Sequence, residues 1–196
     1  MPRFQIAWST PEAHLVALEP EADEVRRHAG ALAEAYNDPH NARLLGHADR
    51  LGERDVVAHY AGLAEAGHGF LTFRDGALVG DADLRGVAGG AAEFAFLVAA
   101  VAEQGKGLGT RFATMIHTFA FRQLELARVY ASVAPANTAS RRVFEKLGYA
   151  IDGGPDARAY ADDPADLTMA LDRLTFERSH AIEIAEIQIT VRSSAP

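Results

Sequence analysis

The sequence predicts a mixed α/β layer fold with a mostly antiparallel sheet, and three observations carry that expectation. Residues 69–100 read as consecutive strands, Gly69–Arg74 and Ala77–Leu84 about an Asp75-Gly76 turn and then the apolar run Ala92–Ala100. Stretches of helical periodicity lie on both sides of that block. Helix and strand do not alternate regularly, which excludes a doubly wound parallel sheet.

The elements follow in order. Phe4–Trp8 reads as a short strand. Pro20–Tyr36 is a helix, with acids in its first turn and Val25, Ala29, Leu32 and Tyr36 on one stripe. Asn37-Asp38-Pro39 stops it, and residues 37–54 read as loop with a short helical turn. Asp55–Ala66 is a second helix, closed by Gly67. After the strands, Gly86–Gly90 is a turn and Gln104–Gly109 a glycine-rich one. Leu108–Ala127 is a long amphipathic helix, Ala127–Ala134 a strand, and Asn137–Leu147 a helix ended by Gly148. Tyr149–Asp152 and Asp166–Leu171 form a last strand pair. The isoleucine-rich tail, Ile182–Val191, reads as a bulged strand or a short helix. One domain over 1–173 with an extension over 174–196 is the expected division. The extension either completes the sheet or pairs between subunits, so a homodimer is one expectation.

Composition narrows the function classes. With 196 residues and 48% hydrophobic side chains, the chain can bury a substantial core. It contains no cysteine, which rules out disulfides, cysteine metal sites and a thiol nucleophile. Nineteen basic against 27 acidic side chains give a net charge of −8, without the basic surplus of a general nucleic-acid binder. No apolar run is long enough to span a bilayer, and the N-terminus has no secretion-type core. The expectation is a soluble cytoplasmic protein with no nucleic-acid or membrane partner. Asp81-x-Asp83 has metal-like spacing but no further ligands beside it, so no metal is expected.

Two segments carry the chemistry. In Val98–Phe112 a buried strand runs into Gly105, Gly107 and Gly109 and then directly into a helix. Glycines permit a tight turn, and the amides at a helix start form a cradle for a diphosphate, to which Lys106 adds charge. The spacing lacks the Gly-Lys-Ser/Thr of an ATPase phosphate loop and is not G-x-G-x-x-G. It matches Gln/Arg-x-x-Gly-x-Gly/Ala through Gln104, Gly107 and Gly109. In Val129–Tyr149 a strand ends at Pro135, Asn137 stands at a helix N-cap and Ser140 follows.

Residues 69–171 resemble the GNAT superfamily, which transfers an acyl group from acyl-coenzyme A to an amine. AEFAFLVAAVAEQGKGLGTRF resembles its coenzyme-binding strand, loop and helix, and APANTASRRVFEKLGY its next strand end and helix. The wording is nearest the branch resembling ribosomal-protein N-terminal acetyltransferases. The resemblance implies a sheet with splayed central strands and helices on both faces. It also implies acetyl-coenzyme A as cosubstrate and an amine acceptor, either a small molecule or a protein N-terminus. Val98, Ala99, Ala100 and Val101 would pair with the pantetheine arm, one amide there polarising the thioester. Gln104, Gly105, Lys106, Gly107, Leu108, Gly109 and Thr110 would hold the pyrophosphate. Asn137 would bond the pantetheine, and Arg141, Arg142 and Lys146 the outer phosphate. Many relatives protonate the departing thiolate with a tyrosine where this chain has Phe144, so Ser140 is the expected relay. The base some relatives carry on the second strand corresponds to Ser132, which leaves Glu93 as the expected base. His59, Tyr60 and His68 flank the expected acceptor cleft. Tyr149 reads as core, and His117 as a surface or core residue rather than a catalyst. A non-catalytic coenzyme-binding or interaction module on the same fold is the alternative.

Overall fold

The chain enters the sheet through a hairpin, β1 (Phe4–Thr10) and β2 (Ala13–Leu18), in the computed structural model, which describes residues 2–46 and 49–193. Phe4, Ile6 and Trp8 on one strand and Ala13, Leu15 and Ala17 on the other are buried. That is the period-two pattern of a half-buried sheet. β2 is a strand the sequence reading lacks.

Helices α1 (Ala22–Asn37), α2 (Pro39–Leu45) and α3 (Glu53–Ala66) follow. The Asp38 side chain accepts from the amides of His40 and Asn41, so the stop signal of α1 also caps α2. Strands β3 (His68–Arg74), β4 (Ala77–Ala88) and β5 (Ala91–Val98) form a meander. Its turns are Asp75-Gly76 (φ 51° and 81°) and Gly89-Gly90 (φ 58° and 80°). Positive φ at both central residues matches the twist of the flanking strands. β4 therefore runs past the expected turn at Gly86 and takes it up as a bulge before Ala88.

A 3₁₀ turn at Val101–Glu103 precedes α4 (Leu108–Arg122), β6 (Arg128–Val133), α5 (Thr138–Leu147) and β7 (Ala150–Ile151). α6 (Pro155–Arg158), β8 (Leu167–Asp172), α7 (Arg173–Ser179), α8 (Ala181–Glu186) and β9 (Gln188–Val191) complete the chain. α4 stops short of the expected Ala127. Glu125 turns to φ 55°, and the amides of Leu124 and Leu126 fold back onto the carbonyls of Phe119 and Ala120. The tail is neither of the two expected forms alone: two short helices deliver Phe176, Ile184 and Ile187 to the core, and β9 then pairs antiparallel with β1.

The sheet order is β7-β8-β6-β5-β4-β3-β2-β1-β9. All its neighbours are antiparallel except β5 and β6. That one parallel pair holds over Ala91↔Arg128, Ala92↔Val129 and Glu93↔Tyr130 and goes no further. Beyond it the two strands separate. α1 and α3 pack on one face around Leu71, and α4 with α5, α7 and α8 on the other.

α4 buries one imidazole completely. His117 Nδ1–H donates to the Ala113 carbonyl (2.7 Å), so its Nε2 accepts from the Tyr149 hydroxyl (2.6 Å). Burial pushes its pKa down to about 4. The folded value lies below the unfolded one, near 6.5, so this residue's contribution is full above about 6.5 and lost as pH falls toward 4. A shift of that size corresponds to ~3 kcal/mol. Denaturant titrations at pH 7.5 and 4.5 are expected to show a smaller acid loss in His117→Gln than in the natural chain. Equal losses would contradict the buried neutral ring.

Candidate active site

The separation of β5 from β6 opens a cavity of about 790 Å³. Its lining includes Phe94, Phe96, Asn137, Ser140 and Phe144 from the α4–α5 side. From the α1–α3 side come Tyr36, His59, Tyr60, Asp81, Asp83, Arg85, Ala95 and Leu97. The cavity thus lies between two strand edges that, among the described residues, do not pair with each other beyond Glu93 and Tyr130. The Ala99 amide donates to the Val79 carbonyl (2.8 Å), so odd-numbered residues of β5 bond toward β4. Gly90 accepts from Ala127 and Arg128, so even-numbered residues turn toward β6. Past Glu93, where β6 bonds only to β8, that parity leaves the amides of Phe96 and Val98 facing the open fork.

The floor on the α1–α3 side is a row of ionisable groups. On β4, side chains alternate between faces, so Asp81, Asp83 and Arg85 share one. Tyr36 donates to Asp81 (2.9 and 3.0 Å), and Tyr60 reaches the same carboxylate at 3.4 Å. Burial raises Asp81 to about 7 against the help of these hydroxyls. His59 Nε2 lies 3.3 Å from Asp83, and that hydrogen bond raises the imidazole's pKa. Arg85 reaches Asp83 at 3.0 Å and Glu93 at 3.3 Å. On the opposite wall, Ser132 donates to Asp166 (2.7 Å) and accepts the Asp162 amide (3.0 Å), fixing the segment between α6 and β8 against β6.

The structure redistributes the residues singled out from the sequence. In the glycine loop, Gly105 (φ 74°) and Gly107 (φ 83°) hold left-handed conformations with open space where a side chain would project. Residues 104–107 form a turn, and among the described residues no well-aligned hydrogen bond ties the amides of 105 to 110 to the rest of the chain. The amides of residues 108 to 110 begin the 15-residue α4 and lack intrahelical partners there, so the loop and helix start fit an anion such as a diphosphate. Gly109 has another reason to be glycine: a Cβ there would lie 3.0 Å from the Phe96 ring. Lys106 is tied to Glu103 (2.9 Å). The loop lies outside the cavity lining.

Within Val98–Val101, where strand-like pairing is expected, several backbone groups are engaged inside the chain. The Val98 carbonyl accepts from Gln104 (2.9 Å), the Ala99 carbonyl from Asn41 (3.0 Å), and the Ala99 amide is spent on β4. The Ala100 and Val101 carbonyls close the 3₁₀ turn. Phe96 and Val98, the second of them among the expected residues, carry the fork-facing amides. Gln104 and Asn137 are also engaged inside the chain. Gln104 donates to Asn41 (2.8 Å), while Asn137 caps α5 by accepting from Ser140 (3.0 Å) and donates to the Leu44 carbonyl (2.9 Å). Both side chains thereby fasten α2 across the fork. Asn137→Ala is expected to cost ~1–2 kcal/mol from the lost cap and tie, measurable by thermal melting. A melting temperature unchanged from the natural chain would contradict both roles.

Ser140 lines the cavity in the first turn of α5. Arg142 and Lys146 lie exposed on the same helix, and Arg141 pairs with Glu145 (2.8 Å). Glu93 is buried and pushed up to about 7, chiefly by burial; it pairs with Arg85 and lies outside the lining. His59 and Tyr60 line the cavity; His68 does not, and instead pairs with Glu19 beside a separate cavity of about 210 Å³. Sequence reading missed Tyr36, Asp81 and Arg85 as site residues. The available signal was the i, i+2, i+4 spacing of ionisable groups along a strand with apolar neighbours. Among the described residues, no group of three His, Asp or Glu is arranged to hold a metal ion.

A forked sheet with an amide cradle at the head of its central helix defines a class of folds that includes solved acetyltransferases. Mycobacterium smegmatis RimJ in complex with CoA-disulfide has a TM-score of 0.73 at 19% identity, over 95% of this chain and 97% of that one. The aminoglycoside acetyltransferase AAC(6')-Ib in complex with coenzyme A has 0.67 at 21% identity, over 90% and 99%. The ribosomal-protein-S5-alanine acetyltransferase from Vibrio fischeri has 0.64 at 15%, over 85% and 96%. At these identities the likeness concerns the fold. The family model for the acetyltransferase (GNAT) domain matches residues 20–150. A probable N-acetyltransferase, YjcK of Bacillus subtilis (strain 168), is 33% identical over 113 residues, 57% of this chain. That match spans 58% of the relative's length. The chain belongs to the GNAT acetyltransferase family.

Proposed function

We propose that the protein transfers an acetyl group from acetyl-coenzyme A to a primary amine by direct attack within a ternary complex. The observation that carries this reading is the fork: unpaired amides of Phe96 and Val98 on one edge, with an acidic floor on the side from which an acceptor enters. The thioester arm lies in the fork with its carbonyl oxygen toward one of those amides, which stabilises the charge that develops there. The amides of 105–110 hold the pyrophosphate outside the cavity. Arg142 and Lys146 serve the outer phosphate.

Asp81 replaces Glu93 as the proposed base, because it lines the cavity and is held near neutrality. It takes a proton from the acceptor ammonium. The freed nitrogen lone pair attacks the thioester carbon, the C–N bond forms, and the C–S bond breaks as the nitrogen gives up its second proton to the Ser140 hydroxyl, which passes its own proton to the sulfur. The departing thiolate takes a proton through the Ser140 hydroxyl at the positive end of α5. Proximity and charge stabilisation supply most of the rate.

The test is thiol release with a panel of primary amines. Amine-dependent release of coenzyme A is expected. Coenzyme binding without release on any amine would leave a binding module and overturn the transferase reading.

A further inference from the structure

One buried carboxamide ties the helix that crosses the fork to the strand that forms its edge. Asn41 on α2 is 1% exposed. Its nitrogen donates to the Ala35 carbonyl in the last turn of α1 (2.9 Å) and to the Ala99 carbonyl just past β5 (3.0 Å). Its oxygen accepts from the Gln104 side-chain nitrogen (2.8 Å). That nitrogen donates its other hydrogen to the Val98 carbonyl (2.9 Å), and the Gln104 oxygen accepts from His40 Nε2 (3.2 Å). The two carboxamides fix each other's orientation. Asn41 turns its nitrogen to two carbonyls, so its oxygen has to meet Gln104, which then faces inward through nitrogen and outward through oxygen. A buried network with every group satisfied is rigid. α2 does not need it to form, because Asp38 caps its start and Asn137 holds the Leu44 carbonyl at its far end.

What the network holds is the free edge of β5. In an extended strand the N–H and C=O of one residue point to the same edge. Gln104 therefore grips the Val98 carbonyl on the edge where the Val98 amide faces the fork. The next residue, Ala99, is held from both sides, its amide by the Val79 carbonyl (2.8 Å) and its carbonyl by Asn41. The pairing of β5 with β6 ends at Glu93 and Tyr130. Beyond that point, Asn41 and Gln104 take the place of a ladder just where the chain leaves the sheet.

We infer that Asn41 is a positioning residue for the transfer step, acting through Gln104 and the Ala99 carbonyl to aim the Val98 amide at the thioester oxygen. This rests on the acetyl-transfer reading and adds to it a residue outside the cavity lining. A donor that swings away from the developing negative charge stabilises it less, while the coenzyme still binds through its diphosphate. The loss therefore falls on the chemical step and not on coenzyme affinity.

The experiment is steady-state kinetics on folded variants, with a primary amine that the natural chain acetylates. Asn41→Leu keeps the side chain's approximate size and removes its bonds to Ala35, Ala99 and Gln104. It is expected to lower kcat about tenfold, with KM for acetyl-coenzyme A within about threefold. Gln104→Leu is expected to show the same split. The double variant should fall within about twofold of the slower single one, because both act on one amide. Asn37→Ala is the comparison: it gives up bonds of 2.6 and 2.9 Å to Leu51 at the same end of α1 without reaching β5. Its kcat is expected to stay within about twofold of the natural value. Should Asn41→Leu not fold, the partly buried Gln104 decides the question by the same split. An unchanged kcat, a fall matched by Asn37→Ala, a loss confined to KM, or falls that multiply in the double variant would overturn the inference. A natural chain that acetylates no amine would overturn the transferase reading, and this inference with it.

Discussion

Asp81→Asn is expected to lower kcat by ~10²–10⁴-fold, the usual contribution of a positioned proton acceptor, with little change in acetyl-coenzyme A affinity. It is also expected to raise stability at alkaline pH. Folded Asp81 keeps its proton to about pH 7, whereas the unfolded side chain ionises near 4. A folded value above the unfolded one means that its contribution is full below about 4 and lost as pH rises to 7. Three units correspond to ~4 kcal/mol for a group buried this deeply. The asparagine keeps a carbonyl for Tyr36 and has no charge to bury. Melting at pH 8 should therefore favour the variant, and melting at pH 4 should not. Glu93, which burial also raises to about 7, is present in both chains and drops out of the difference. An unchanged kcat would remove Asp81 from the mechanism; an unchanged pH slope would remove the buried charge.

Gly80→Ala is expected to cost more than ~3 kcal/mol and to abolish activity with it. A Cβ at Gly80 would stand 1.9 Å from the Leu97 carbonyl oxygen, 3.0 Å from its carbon and 3.2 Å from the Ala99 amide nitrogen. All three are backbone atoms of the strand that forms one edge of the fork, so no side chain can swing aside. β4 and β5 would have to part beside Asp81. Gly107→Ala makes the contrast, because there a Cβ meets nothing within 4 Å and the cost is the positive φ alone, ~1 kcal/mol. Urea titrations of the two variants check the ranking. Equal stabilities would contradict the close approach at Gly80.

The contrast between these glycines shows what was legible beforehand. Gly105 and Gly107 announce themselves, because a glycine cluster between an apolar run and a helical stripe marks a tight loop at a helix start. Gly80 lies singly in a strand, and its crowding comes from β5, which no local pattern encodes. Most elements read correctly because a period of two or 3.6 survives in a single segment. β2 escaped, since its buried positions include two alanines, Ala13 and Ala17, which signal burial weakly. The tail escaped because its apolar residues serve two short helices and one strand in quick succession.

The site was legible in part for the same reason. The glycine turn at the head of α4 is local and could be read. The roles of Gln104 and Asn137 depend on α2, which arrives from elsewhere in the chain and takes both side chains. Tyr36, Asp81 and Arg85 gain meaning only when α1, β4 and the segment before β8 meet. Glu93 was a reasonable candidate for a raised carboxyl, and burial does raise it, but it pairs with Arg85 and is not among the residues lining the cavity.

Amide chemical-shift mapping by NMR during titration with acetyl-coenzyme A tests most directly whether the parted strands hold the thioester arm. The largest shifts are expected at Phe96, Val98 and residues 105–110, with Asp81 and its neighbours perturbed only on adding an amine. Saturating ligand that leaves those amides unmoved, or moves a different surface, would contradict the account.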